Sequence, residues 1–118
     1  MTVTIYHNPR CSKSRATLAL LEARGLKPKI VDYLKTPPSA AELKAILRKL
    51  DLEPHDLLRS SEPLYAELGL KTSKLDDDAL IALMAANPIL IERPIVVAGG
   101  KAAIGRPPEN VLAILPSF

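Results

Sequence analysis

Tryptophan is absent from this chain, phenylalanine occurs once and tyrosine three times. So few aromatic rings exclude a stacking platform for bases. Cysteine occurs once, at Cys11, so no internal disulfide can form and a stapled secreted scaffold is excluded. No apolar run reaches the roughly 18 residues that a membrane-spanning helix needs. The first residues, "MTVTIYHNPR", lack the basic start and long apolar core of a signal peptide. A reducing, cytoplasmic setting is therefore expected. Only two histidines accompany the single cysteine, and they show no zinc spacing, so no metal site is expected. There is no glycine-rich phosphate loop and no G-x-S-x-G element. Acidic residues are missing before Glu22.

What remains is a chain of 118 residues, 47% of them hydrophobic, with a formal net charge of +3. That length suits one domain with a real apolar core. The positive excess forms no basic stripe, so a nucleic-acid partner is not expected.

Patterning divides the chain into alternating elements. "TVTIY" (2–6) reads as a strand, and Asn8-Pro9 ends it with a turn. "SKSRATLALLEARGL" reads as a helix with Leu18, Leu21 and its alanines facing inward, and Gly25 suits its C-terminus. "KPKIVDYL" (27–34) reads as a second strand. Ser39 followed by Glu42 forms a capping box before Leu43, Ile46, Leu47 and Leu50, which recur at helical spacing. "HDLLRS" and "PLYAELGL" read as short helices, and "DDDALIALMAANP" as a helix whose first turn is acidic. "PIVVA", "GG" and "KAAIG" read as a hairpin, and "PPENVLAIL" as a final helix. The order is β-α-β, a helical insertion over about 38–90, then β-β-α. It predicts a single α/β domain, 1–118, of thioredoxin-like fold with a mixed four-stranded sheet.

Cys11 falls where the first strand gives way to the first helix. Free N–H groups and the positive end of the helix dipole favour a thiolate there, and Arg10, Lys13 and Arg15 surround it. The competing reading is a small buried hydrophobe with solvated bases around it. Ser14 stands where a C-x-x-C pair would have its second thiol. A hydroxyl resolves no mixed disulfide, so a redox role for Cys11 needs an external thiol. Ser12 and Ser14 suit helix capping and anion binding alike. His7 is either a turn residue or a contributor to the local positive field. Arg59, just before "SSEP", Arg93 in "ERPIVV" and Arg106 in "IGRPP" occur as scattered arginines, each open to a surface reading or to oxyanion binding through the planar guanidinium. Pro94, entering the third strand, stands where thioredoxin-like folds carry a cis proline.

"IYHNPRCSKSR", "LLRSSEPLYAELGL", "NPILIERPIVV" and "IGRPPENVL" together resemble the glutaredoxin-linked arsenate reductase family, collinearly from Thr4 to about Leu115. The resemblance implies a nucleophilic Cys11, an oxyanion site of Arg59, Arg93 and Arg106, and support of the thiolate by His7 and Ser14. It implies arsenate as substrate, no bound cofactor, glutathione as co-substrate and glutaredoxin as the partner that completes reduction to arsenite. Better-known members carry smaller, uncharged residues where this chain has Arg10, Ser12 and Lys13. Two other functions fit the same outline: a monothiol oxidoreductase acting on glutathione mixed disulfides, and a non-enzymatic regulator of the related branch that binds RNA polymerase.

Overall fold

A computed structural model describes residues 2–115. The chain forms two compact units, Met1–Thr36 with Arg93–Phe118, and Pro37–Glu92.

The first unit holds the sheet. Strands β1 (Val3–His7), β2 (Lys29–Asp32), β3 (Ile95–Ala98) and β4 (Lys101–Ile104) lie in the order β2-β1-β3-β4. β2 runs parallel to β1, whereas β3 is antiparallel to β1 and β4 to β3. This is the mixed, thioredoxin-like sheet that the element order predicts. β1 is central because its alternate residues Val3, Ile5 and His7 are all buried. The Gly99-Gly100 pair closes the β3–β4 hairpin, with Ala98 opposite Lys101.

Helix α1 (Ser12–Ala23) packs on β1. It ends in a Schellman closure: Gly25, at φ 78°, donates to the Glu22 carbonyl, and Leu26 donates to that of Leu21. Its buried stripe is Ser14, Thr17 and Leu21. Ala16, Ala19 and Ala23 are exposed, contrary to the inward placement expected of the alanines. Thr17 fits the inner face because its hydroxyl donates to the Lys13 carbonyl and so is satisfied inside the helix. The apolar centre of this unit is Val3, Ile5, Leu21, Val96, Ala98 and Val111. The C-terminal segment Pro108–Ile114 is a 3₁₀ helix rather than the α-helix its pattern suggests. Val111 and Ile114, three residues apart, both meet the core, and that spacing stacks on one side at three residues per turn.

Gly105, just after β4, is required by space. A Cβ there would lie 2.5 Å from Thr17 Oγ1 and 2.9 Å from Pro94 Cγ. Neither neighbour is a flexible tip, so Gly105→Ala forces the helix and the Pro94 turn apart. Overpacking of this kind costs about 1–3 kcal/mol, and a thermal melt that matches wild type refutes the close approach.

The second unit is helical: α2 (Ala40–Leu50), α3 (Pro63–Glu67) and α4 (Asp77–Ala86), with 3₁₀ turns between them. The capping box is present, with Ser39 Oγ accepting from Glu42 N and Glu42 Oε1 accepting from Ser39 N. Asp76 caps α4 by accepting from Ala79 N. Leu43, Ile46 and Leu47 are buried as their spacing predicts, and Leu50 only partly. "HDLLRS" is not a helix throughout. A 3₁₀ turn covers Pro54–Leu57, after which the chain straightens and Leu58 bridges Ile91. Arg59 N donates to the Leu90 carbonyl and Glu92 N to that of Leu57, which holds 57–59 against 90–92. No helix among the described residues is long and apolar enough to cross a membrane.

Candidate active site

The turn between β1 and α1 is wired almost entirely by its own polar groups. Asn8 leaves the strand, and its carbonyl accepts from Cys11 N at 3.0 Å. Its side-chain oxygen accepts from Arg10 N, also at 3.0 Å. One turn into the helix, the fully buried Ser14 hydroxyl accepts from Asn8 N at 3.0 Å and meets His7 Nδ1 at 2.7 Å. Arg15 donates to the Pro9 carbonyl at 2.9 Å. The loop is thereby fixed to both the strand before it and the helix after it.

Cys11 is the N-cap of α1 and makes no side-chain capping bond. Its sulfur, largely buried, points to the free N–H groups of the helix. Burial pushes the thiol pKa up. The backbone N–H of Ser14, the Arg93 guanidinium and the backbone N–H of Lys13 outweigh burial and hold it below the ordinary value. Arg106 Nη2 donates to Cys11 Sγ at 3.4 Å. Its Nε donates to the Arg93 carbonyl at 2.6 Å, which aims the guanidinium. The peptide bonds Arg93–Pro94 and Arg106–Pro107 are both cis. Hydrogen bonding from Gly105 N to the Pro94 carbonyl ties the two arginine-bearing turns together. The site is thus a cysteine of lowered pKa at a helix N-terminus, faced by two guanidinium groups delivered from either end of the β3–β4 hairpin.

Residues 6–114 match the ArsC family. The chain belongs to the ArsC family. It is 54% identical over 114 residues to an arsenate reductase of Neisseria meningitidis serogroup B, spanning 96% of this chain and 97% of that protein. An arsenate reductase of Escherichia coli strain K12 is 46% identical over 114 residues, 97% of this chain and 81% of its own length. Among solved structures, an arsenate reductase from Vibrio cholerae superposes with a TM-score of 0.94 at 58% identity, covering 98% of each chain.

In this ArsC-family chain Cys11, Arg93 and Arg106 come together. Arg59 belongs to the helical unit, where its Nη1 bonds Glu92 Oε1 at 3.2 Å and its Nε lies 3.9 Å from Glu62 Oε2. Ser14 reaches the sulfur through its backbone N–H, because its hydroxyl is taken by His7 and Asn8. His7 Nδ1 meets the Ser14 hydroxyl rather than the sulfur. Burial lowers the His7 pKa, Asp32 raises it in part, and Arg15 lowers it further, which favours the neutral ring. The side chains of Arg10 and Lys13 are solvent-exposed, and Lys13 supplies only its backbone N–H. The depressed thiol pKa therefore comes from backbone N–H groups and a distant arginine, not from the flanking cationic side chains.

Sequence reading missed Asn8 and Tyr33. Tyr33 follows Asp32, which pairs with His7 in the β1–β2 ladder, so it stands one residue past the end of β1, level with the reactive loop. The aromatic residue closing "KIVDY" on a parallel neighbour of β1 was the available signal. No cluster of three or more metal-ligating side chains occurs among the described residues.

Proposed function

We propose that this protein is an arsenate reductase. The observation that carries the reading is the convergence of Arg93 and Arg106 on the sulfur of the sole cysteine. The names borne by its ArsC-family relatives support the same substrate. The Cys11 thiolate attacks the arsenic of arsenate, and the leaving oxygen departs as water after taking up a proton, giving a sulfur–arsenic(V) adduct. Glutathione, as co-substrate, displaces a second oxygen as water and forms a second sulfur–arsenic bond. A glutaredoxin thiol then attacks the glutathione sulfur. A glutaredoxin–glutathione disulfide forms, and the released electron pair reduces arsenic to the trivalent state. Hydrolysis frees arsenite and returns Cys11. Two external thiols supply both electrons, which fits a chain whose position 14 is serine.

Arg93 and Arg106 offset the charge of the bound anion. Arg59, paired within the helical unit with Glu62 and Glu92, is the third arginine that the family resemblance assigns to the oxyanion. No cofactor is resident in this scheme, and the reducing milieu it requires is that of the cytoplasm.

The reading is tested by measuring arsenite release from arsenate with glutathione and glutaredoxin, and in parallel with thioredoxin as the only reductant. Turnover is expected in the first mixture. Arsenite formed only with thioredoxin overturns the electron donor, and none in either mixture overturns the reaction.

A further inference from the structure

Three buried side-chain atoms of the first unit lack a hydrogen-bond partner: Asp32 Oδ1, an acceptor, and two donors, the Tyr33 hydroxyl and Arg93 Nε. Folded proteins leave few such groups, and each calls for a reason. Tyr33 is almost fully enclosed, at 1% exposure, so its ring is held by packing. Asn8 and Arg93 come close enough to the hydroxyl to act on its charge, but neither meets hydrogen-bond geometry, and the oxygen stays unpaired. The Cys11 thiolate lies within electrostatic range of both Tyr33 and Arg93. Phenylalanine would fill the same space without a stranded oxygen, so packing alone does not account for tyrosine here.

The Tyr33 hydroxyl and Arg93 Nε can both donate. The anion that acts on both is the sulfur, whose donors already include Arg106, the Arg93 guanidinium and the N–H groups of Ser14 and Lys13. A tetrahedral oxyanion brings several further acceptors to the same place. Cys11 is itself only 9% exposed, and its charge acts on Tyr33, so an anion that reaches the sulfur comes within the range of the hydroxyl.

We propose that the Tyr33 hydroxyl, with Arg93 Nε, donates a hydrogen bond to the oxyanion that Cys11 attacks. The proposal deepens the arsenate reductase reading and rests on its oxyanion site. Burial raises the pKa of Tyr33, outweighing the opposing effects of Arg93 and Asn8. The group is therefore protonated at neutral pH and is a donor across the working range. A neutral donor beside two guanidinium groups adds direction without adding charge.

The test uses Tyr33→Phe, which removes only the hydroxyl, and reads protection of Cys11 from iodoacetamide by arsenate and by inorganic phosphate. The half-protecting concentration is expected to rise about tenfold in the variant, with the melting temperature unchanged or higher. Equal protection of the two proteins overturns the proposal, as does absence of protection in wild type. Protection does not depend on turnover, so arsenite assays on the same samples judge the reductase reading separately. A second measurement covers the case in which Tyr33→Phe fails to fold. Cys11→Ser protein labelled with 3-fluorotyrosine gives three fluorine resonances, for Tyr6, Tyr33 and Tyr65, assigned through Tyr6→Phe and Tyr65→Phe. The Tyr33 resonance is expected to shift as phosphate is added, and one that stays in place overturns the proposal.

Discussion

Cys11→Ser is expected to lower arsenite formation by at least about a thousandfold while arsenate still binds. The substituted hydroxyl sits among the same donors: the N–H groups of Ser14 and Lys13, with Arg93 and Arg106 beside them. Those donors hold the pKa of the thiol below its ordinary value. A serine hydroxyl starts far higher and needs a general base. His7, the histidine of this loop, has its Nδ1 engaged with Ser14 Oγ at 2.7 Å. Chemistry therefore stops. The anion site, relieved of a negative sulfur, holds arsenate at least as tightly as in wild type. Calorimetric titration with arsenate separates the two effects. A variant that neither turns over nor binds has lost its fold or its site and says nothing of the nucleophile; a variant that turns over normally removes Cys11 from the mechanism.

The second large effect is expected from Arg106→Lys, with a loss of about a hundredfold in kcat/KM, the scale of removing one preorganised donor from a charged transition state. Charge is preserved, so the cost comes from geometry. Arg106 uses Nε on the Arg93 carbonyl and Nη2 on the sulfur simultaneously. A lysine ammonium on its flexible stem cannot be aimed by one carbonyl while it reaches past it. The pH profile distinguishes this role from activation of the thiol. In wild type the alkylation rate should fall as pH drops through the folded pKa of Cys11, with a midpoint below the free-thiol value of about 8.5. Against burial, that depression comes from Ser14 N–H, Arg93 and Lys13 N–H, so Arg106→Lys should move the midpoint little. A midpoint restored to the free-thiol value with anion affinity unchanged would place Arg106 on the sulfur rather than on the substrate.

The elements that the sequence revealed are those whose signals are local. Gly99-Gly100 after the β-branched run Ile95–Val97 specifies the hairpin, and Ser39 with Glu42 specifies the start of α2. Cys11 was legible because one thiol stands between a strand and a helix, a position whose electrostatics follow from secondary structure alone. Arg93 and Arg106 were not legible from local pattern. They meet Cys11 only because β3 pairs with β1, a long-range choice, and the family resemblance supplied them. The source of the thiolate's stability was misplaced for a related reason. Charge counts in sequence point to Arg10, Lys13 and Arg15, whereas the folded loop turns backbone N–H groups toward the sulfur and directs Arg15 to the Pro9 carbonyl. The alanines of α1 misled because Ser14 and Thr17, satisfied internally, can occupy the buried stripe in their place.

The Ser14 latch also limits how this site can change over evolutionary time. A single substitution to cysteine at position 14 would spell the two-thiol motif of redox relatives. In this loop, that residue's side chain is committed to Asn8 N and His7 Nδ1 and is sealed from solvent. The longer, weaker-accepting thiol would loosen the strand-to-helix turn before it could serve Cys11. The dependence on external thiols proposed above would thus be held in place by architecture: a lineage moving to an internal dithiol must rebuild the loop first, or recruit its second cysteine from elsewhere in the chain.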